Sequence, residues 1–195
     1  MRGVNQPVRN VLARLHFLTF PRARWLILAA LVSSAGYSVA EVRPDRVEEQ
    51  YKDWTVTCGA PAGATTGACS MQQAVTDKAT NAVVMRFVVE PGREGAAPVA
   101  SIIGPFGVDL AQGLDLSVDG GPVRDLAFRT CLQVGCIATL PLDEALAAEL
   151  RAGTSLVVSV WPSDNPTGTI TLPVSLSGFG DALGRLQALA ASPAP

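Results

Sequence analysis

The chain has 195 residues, 15 Lys+Arg against 17 Asp+Glu, and a formal net charge of −2. That length suits one domain around a single core. The first 40 residues hold five arginines, the only histidine (His16) and no acid, so the remainder carries a net charge of −7. No basic stripe is left there to neutralise phosphates, which excludes a nucleic-acid binder.

The N-terminus comes first. Arg2, Arg9, Arg14, Arg22 and Arg24 precede the apolar run "WLILAALVSSAG", which is too short to span a bilayer comfortably. The run leads to "SVA", with small residues at Ser38 and Ala40. A basic segment, a short apolar core and an A-x-A-like site together read as a secretory signal peptide over residues 1–40, cleaved after Ala40. An uncleaved N-terminal anchor is the alternative. The segment lacks a twin Arg, which favours general secretion over the route for folded proteins. The mature chain is then expected in the periplasm, outside the cell or associated with the outer membrane. Its acidity keeps it off anionic membrane surfaces once the signal is gone.

Residues 41–190 read as one β-rich domain. "DWTVTC" alternates, with Trp54, Val56 and Cys58 inward, and "NAVVMRFVVE" puts Val83, Met85, Phe87 and Val89 on one face. "EPGREGAAP", Glu90 to Pro98, is a loop. "GLDLSVDGG" carries Leu114, Leu116 and Val118 into Asp119-Gly120-Gly121, a hairpin turn signal. "VRDLAFRTC" and "CIATL" follow as strands. "LDEALAAELRAG" then places Leu142, Leu146 and Leu150 on one stripe, with acids in the first turn and Gly153 after the end. These features predict a helix near residues 142–152. "TSLVVSVW" is apolar enough for a strand buried on both faces. In "GTITLPVSLS", Ile170, Leu172, Val174 and Leu176 face one way, while Pro173 assigns the strand to an edge or a bulge. Phe179, Leu183, Leu186 and Leu189 form the stripe of a second helix near residues 179–189, and residues 191–195 are a loose tail. The fold class expected is all-β, an antiparallel sandwich or barrel-like, with two short helices capping the open ends of the sheet core.

Four cysteines lie beyond the signal: Cys58, Cys69, Cys131 and Cys136. An even number in an exported chain reads as two disulfides. Three connectivities are open. Cys58–Cys69 and Cys131–Cys136 are favoured because each pair is local and spans a turn-like stretch. Each would add roughly 2–3 kcal/mol on the loop-closure model. A four-cysteine zinc site fits less well, because the Cys58/Cys69 gap is too wide for a knuckle and no histidine remains beyond the signal. A thiol switch wants C-x-x-C at the start of a helix, whereas "IATLP" after Cys136 is strand-like.

The loss of histidine also removes Ser-His and Cys-His activation and most catalytic zinc sites. Carboxylates are what remains for catalysis. Asp115 and Asp119 alternate outward on one strand, where a solvated face plus a turn accounts for them. There is no complete Ca²⁺ loop and no phosphate loop. The sequence therefore points to no catalytic residue, no metal and no cofactor. Trp161 is the candidate interaction surface, because an exposed aromatic patch around it would mark a binding module.

An ordered set of segments carries a resemblance: "DWTVTC", a second cysteine about ten residues on, "GVDLAQGLDLSVDGG", "FRTCLQVGCIATLPL", a short helix, and "VSLSGFGDAL". Together they resemble the invasion-associated locus B family of bacterial envelope proteins, over about Asp53 to Leu186. The resemblance implies an exported, disulfide-bonded β domain from a Gram-negative bacterium, with no catalytic motif to transfer. It implies a binding module for an unknown envelope or host-surface protein, in host-cell association or invasion. The alternative is a structural or quality-control component of the periplasm with no specific ligand. An unrecognised carboxylate-based hydrolase is the third reading.

Overall fold

The computed structural model describes residues 46–59 and 68–191. The expected signal peptide and residues 192–195 of the expected tail lie outside the described residues. Two antiparallel sheets and two helices share one apolar core.

The larger sheet begins with strands β1 (Arg46–Tyr51), β2 (Trp54–Gly59), β3 (Ala68–Thr76), β4 (Val83–Glu90) and β5 (Val99–Gly104), each paired with the next. The chain then leaves for the smaller sheet to form β6 (Leu114–Val118) and β7 (Arg124–Leu126). It returns as β8 (Thr130–Leu132) and β9 (Gly135–Pro141), and β9 pairs with β5. The seven-stranded order is β1-β2-β3-β4-β5-β9-β8. After helix α1 (Glu144–Ala152), strands β10 (Ser155–Val160) and β11 (Ile170–Ser175) complete a four-stranded sheet of order β11-β10-β6-β7. Helix α2 (Phe179–Ala191) closes the described chain.

Period-two patterning makes the inner faces. Val56, Met71, Val89, Ala100 and Leu140 form one row across five strands, and Gln73, Phe87, Ile102 and Ala138 form the next. Opposite them lie Leu114, Leu116, Val118, Leu156, Val158, Val160, Leu172 and Val174, all buried. Trp54 is fully buried, with Phe87 and Phe179 edge-on at 5.8 and 5.1 Å. Gln73 is the one buried polar side chain among the described residues. Its amide accepts from Ser175 N–H at 2.8 Å and donates to the carbonyls of Asp53 and Ser175, while Trp54 Nε1 donates to Ser175 O at 2.9 Å. These bonds tie β3 and the start of β2 to the last residue of β11, and no buried side-chain polar atom among the described residues lacks a partner.

Asp143 caps α1 by accepting from Leu146 N–H at 2.8 Å. Leu142 stays outside the helix because its N–H donates to Pro98 O at 2.7 Å, so α1 begins two residues later than expected. Helix α2 runs two residues beyond the expected end, to Ala191. Gly178, at φ +88°, lets its entry pass against the Tyr51 carbonyl, where a Cβ would collide. Arg185 of α2 then grips both carboxylate oxygens of Glu49 at 2.7 and 2.8 Å.

Three expectations change. The barrel alternative fails: neither sheet closes, leaving β1, β8, β7 and β11 as edges. Pro173 sits on the edge strand β11, where it displaces no ladder bond. Strand β10 is buried on one face only, because Ser155, Val157 and Ser159 lie on the open side of the smaller sheet. "VRDLAFRTC" is not one strand: β7 pairs in the smaller sheet and β8 in the larger, with the half-buried Phe128 between them.

Candidate functional site

Both disulfides join directly opposed residues of neighbouring strands. Cys58 faces Cys69 across β2 and β3, with Cα atoms 4.1 Å apart. Cys131 faces Cys136 across β8 and β9, at 3.9 Å. Opposed residues in an antiparallel pair approach this closely without rearrangement. Among the described residues there is no free thiol, and no group of three His, Cys, Asp or Glu that could hold a metal ion.

The second bridge closes the edge hairpin. Its loop is only Gln133 and Val134. Gly135 adopts φ +135°, and a Cβ there would strike the Gly104 carbonyl, so β9 can pass tightly against the end of β5 only with glycine at this position. The loop is not polar as its sequence position implies. Val134 is 68% exposed and neighbouring Leu132 55%.

That hairpin borders an open groove of about 500 Å³ lined by Val83, Arg86, Ile103, Pro105, Phe106 and Val134, among others. Phe106, on the segment after β5, is 62% exposed. The outer sheet face beside the groove continues the character. Arg86, Ile103, Ile137 and Thr130 form one row over four strands, and Val88, Ser101 and Thr139 form the next. Arg129 reaches this face, its guanidinium 3.4 Å from Thr139 Oγ1. The ion pairs among the described residues are Arg46–Glu48, Arg124–Glu149 and Arg185–Glu49, so Arg86 and Arg129 have no carboxylate partner there.

Trp161, the aromatic singled out from sequence, is half-buried at the end of β10. Its carbonyl accepts from Asp109 N–H at 2.7 Å, Pro162 bridges Val108, and Ser163 N–H donates to Gly107 O at 2.8 Å. These bonds hold Gly107 to Asp109, the residues that follow Phe106, against the segment after β10. The exposed aromatic surface is Phe106 itself. Sequence reading missed Phe106, Val134, Arg86 and Arg129. The signal was available in two of them: Phe106 follows Gly104-Pro105, and Val134 occupies a two-residue turn, and polar residues are usual at such places.

The carboxylates separate in role. Asp119 accepts from Thr154 N–H and Ser155 N–H, both at 2.9 Å, and fixes the start of β10. Asp115 stands directly opposite Asp125 across β6 and β7, on the open face of the smaller sheet. Partial burial, and then the hydrogen bond and charge of Asp125, raise the Asp115 carboxyl above the ordinary carboxylate range. Ser159 and Thr171 continue the same row. Asp115 and Asp125 lie outside the groove at the hairpin.

The architecture defines a class: an open, two-sheet β protein whose adjacent strands are stapled by two local disulfides. Residues 54–187 match the family model described as "Invasion associated locus B (IalB) protein". The chain belongs to that family. Two invasion protein B homologs of Brucella abortus, from strain 2308 and from biovar 1 strain 9-941, are each 35% identical over 143 residues, covering 73% of this chain and 80% of theirs. The crystal structure of invasion associated protein B from Bartonella henselae superimposes with a TM-score of 0.65 at 29% identity, covering 75% of this chain and 99% of that one.

Proposed function

We propose that this protein is an exported, non-catalytic binding module of the Gram-negative cell envelope, in the periplasm or at the outer surface, and that its partner is a protein. Host-cell association or invasion is the setting that the names of its relatives favour. The observation that carries the reading is the groove beside the Cys131–Cys136 hairpin. It joins exposed apolar side chains to arginines without carboxylate partners, the composition of an interface centre.

The experiment is affinity capture from intact envelopes of the source bacterium, run with the exported protein and with its Phe106→Ser/Val134→Ser variant. A partner retained by the first and lost with the second is the expected result. A component of the envelope with no specific ligand would retrieve the same set as an unrelated acidic exported domain, and that would overturn the reading. Intact-mass measurement on exported protein checks the compartment: a chain starting at Glu41 is expected, and a mass that includes Trp25–Ala40 would show an anchor.

A further inference from the structure

The outer face of the seven-stranded sheet divides at β4. On the β1–β3 side it presents Glu48, Gln50, Thr55, Thr57, Ser70 and Gln72, an ordinary solvated surface. On the β4–β5–β9–β8 side the outward positions turn aliphatic, with Val88, Ile103, Ile137 and Leu132, none of them fully buried. Helix α2 packs on the inner face of this sheet, with Phe179 on Trp54 and Arg185 on Glu49, so it does not cover the outer face. The charges on this half are Arg86 and Arg129 in its middle and Glu90 at the far end of β4, in a chain whose residues beyond Ala40 carry a net −7.

We infer that this half-face and the groove beside it bind an extended, acidic segment of another protein, one in which carboxylates are interspersed with apolar side chains. The inference rests on the reading of the protein as an interaction module. Each part of that description answers a feature of the surface. The guanidinium is a planar fork that matches a carboxylate, and its weak hydration suits it to an apolar surround. Strand β4 and strand β9 are separated by one strand, and Thr139 lies two residues along from Ile137, which is in register with Arg86, so Arg86 and the Thr139 side chain that Arg129 meets stand about 12 Å apart. Carboxylates about two to four residues apart in an extended chain reach both. The aliphatic rows supply the area an apolar residue needs at each step along the pleat.

Charge also selects among occupants. A second copy, or a bilayer of anionic lipid, meets the whole acidic molecule and is repelled at long range. A segment one strand wide lies within about 8 Å of the surface, the screening distance at physiological salt, and is governed by the local arginines.

The test uses protein expressed from the full chain and arrays of twelve-residue peptides in three matched classes. The first mixes Asp/Glu with Val, Leu, Ile and Phe, the second has Lys/Arg in place of the acids, and the third has Ser in place of the apolar residues. Selective retention of the acidic-apolar class is expected, at least tenfold above the other two. In Arg86→Glu/Arg129→Glu the preference should invert to the basic-apolar class, an outcome that misfolding cannot produce. Retention without preference, retention of no class, or a preference that survives the reversal would overturn the inference. So would co-sedimentation of the protein with phosphatidylglycerol vesicles, or a dimer in light scattering that Val134→Asp dissolves. Envelope capture that still yields a specific partner insensitive to Arg86 and Arg129 would sink this inference and leave the binding-module reading standing. Absence of any specific partner in that capture would remove both.

Discussion

Trp54 and Phe106 are both aromatic, both follow a short turn-like stretch, and meet opposite fates. Trp54 is fully buried, ringed by Phe87 and Phe179, with its N–H spent on Ser175 O. Phe106 is 62% exposed, beside an exposed Val134 and an arginine without a carboxylate partner among the described residues. At the Trp54 end α2 packs on the inner face of the sheet, and no buried side-chain polar atom among the described residues lacks a partner. At the hairpin end no helix arrives. The difference teaches that the two faces of one sheet are treated differently: α2 packs on the inner face, and the apolar side chains at the hairpin stay exposed beside the outer one.

The comparison can be broken most severely at the covered end. Trp54→Ala should cost about 3–5 kcal/mol, because it leaves a cavity between two rings and strips a donor from Ser175 O. Urea unfolding checks this, and a loss below about 1 kcal/mol would show that the cluster is loosely packed. Next comes the staple at the open end. Cys131→Ser with Cys136→Ser should cost about 2 kcal/mol, the loop-closure value for so short a span. Non-reducing peptide mapping should recover Cys131–Cys136 and Cys58–Cys69 peptides from the native protein.

A smaller effect is expected on the open face of the smaller sheet. Asp115 has a folded-state pKa above its unfolded value. Its penalty is therefore present above the folded pKa and disappears as pH falls below the unfolded one. Asp125→Asn should raise stability at pH 7 by about 0.5 kcal/mol, the scale of a like-charge cross-strand pair. The gain should vanish below pH 4. Glu49 has the opposite sign. The Arg185 hydrogen bond, and then that of Tyr51, hold its carboxyl at about 2. Its contribution is present above the unfolded value and is lost as pH falls from about 4.5 towards 2. Paired unfolding curves of Asp125→Asn and Glu49→Gln against pH should therefore diverge from the parent in opposite directions at pH 7. The smallest change in stability is expected for Phe106→Ser, within about 0.5 kcal/mol. A large loss there would mean that Phe106 supports the fold and that the open end is not open.

Much of the fold was legible in the residues. Strand positions followed from alternation, as in Trp54-Val56 and Leu172-Val174, and the helices from the Leu142-Leu146-Leu150 and Phe179-Leu183-Leu186 stripes. What alternation cannot carry is partnership. Nothing in "VRDLAFRTC" says that Arg124–Leu126 joins one sheet and Thr130–Leu132 the other, because a period of two fixes faces, not neighbours. The same gap hid the exposed apolar face. Val88, Ile103 and Ile137 each sit in strands rich in buried neighbours, and only the sheet order shows that their side has no cover. "TSLVVSVW" misled in the other direction: Val157 is apolar yet lies on the open face of β10. The hydrogen bonds of Gln73 to Ser175 were invisible for a third reason, since that partner lies 102 residues away.

That last separation has a kinetic consequence. The bonds that hold the covered end span 102 residues from Gln73, 121 from Trp54 and 136 from Glu49 to Arg185. Closing such spans costs loop entropy before it returns any contact, so folding speed is set by the arrival of the C-terminal segment. Until Ser175 and α2 dock, Trp54, Phe87 and Met71 face solvent on a finished run of hairpins. A nascent chain halted anywhere before Leu186 therefore displays an adhesive sheet, and any protein that escorts it must hold that face until the final residues are delivered.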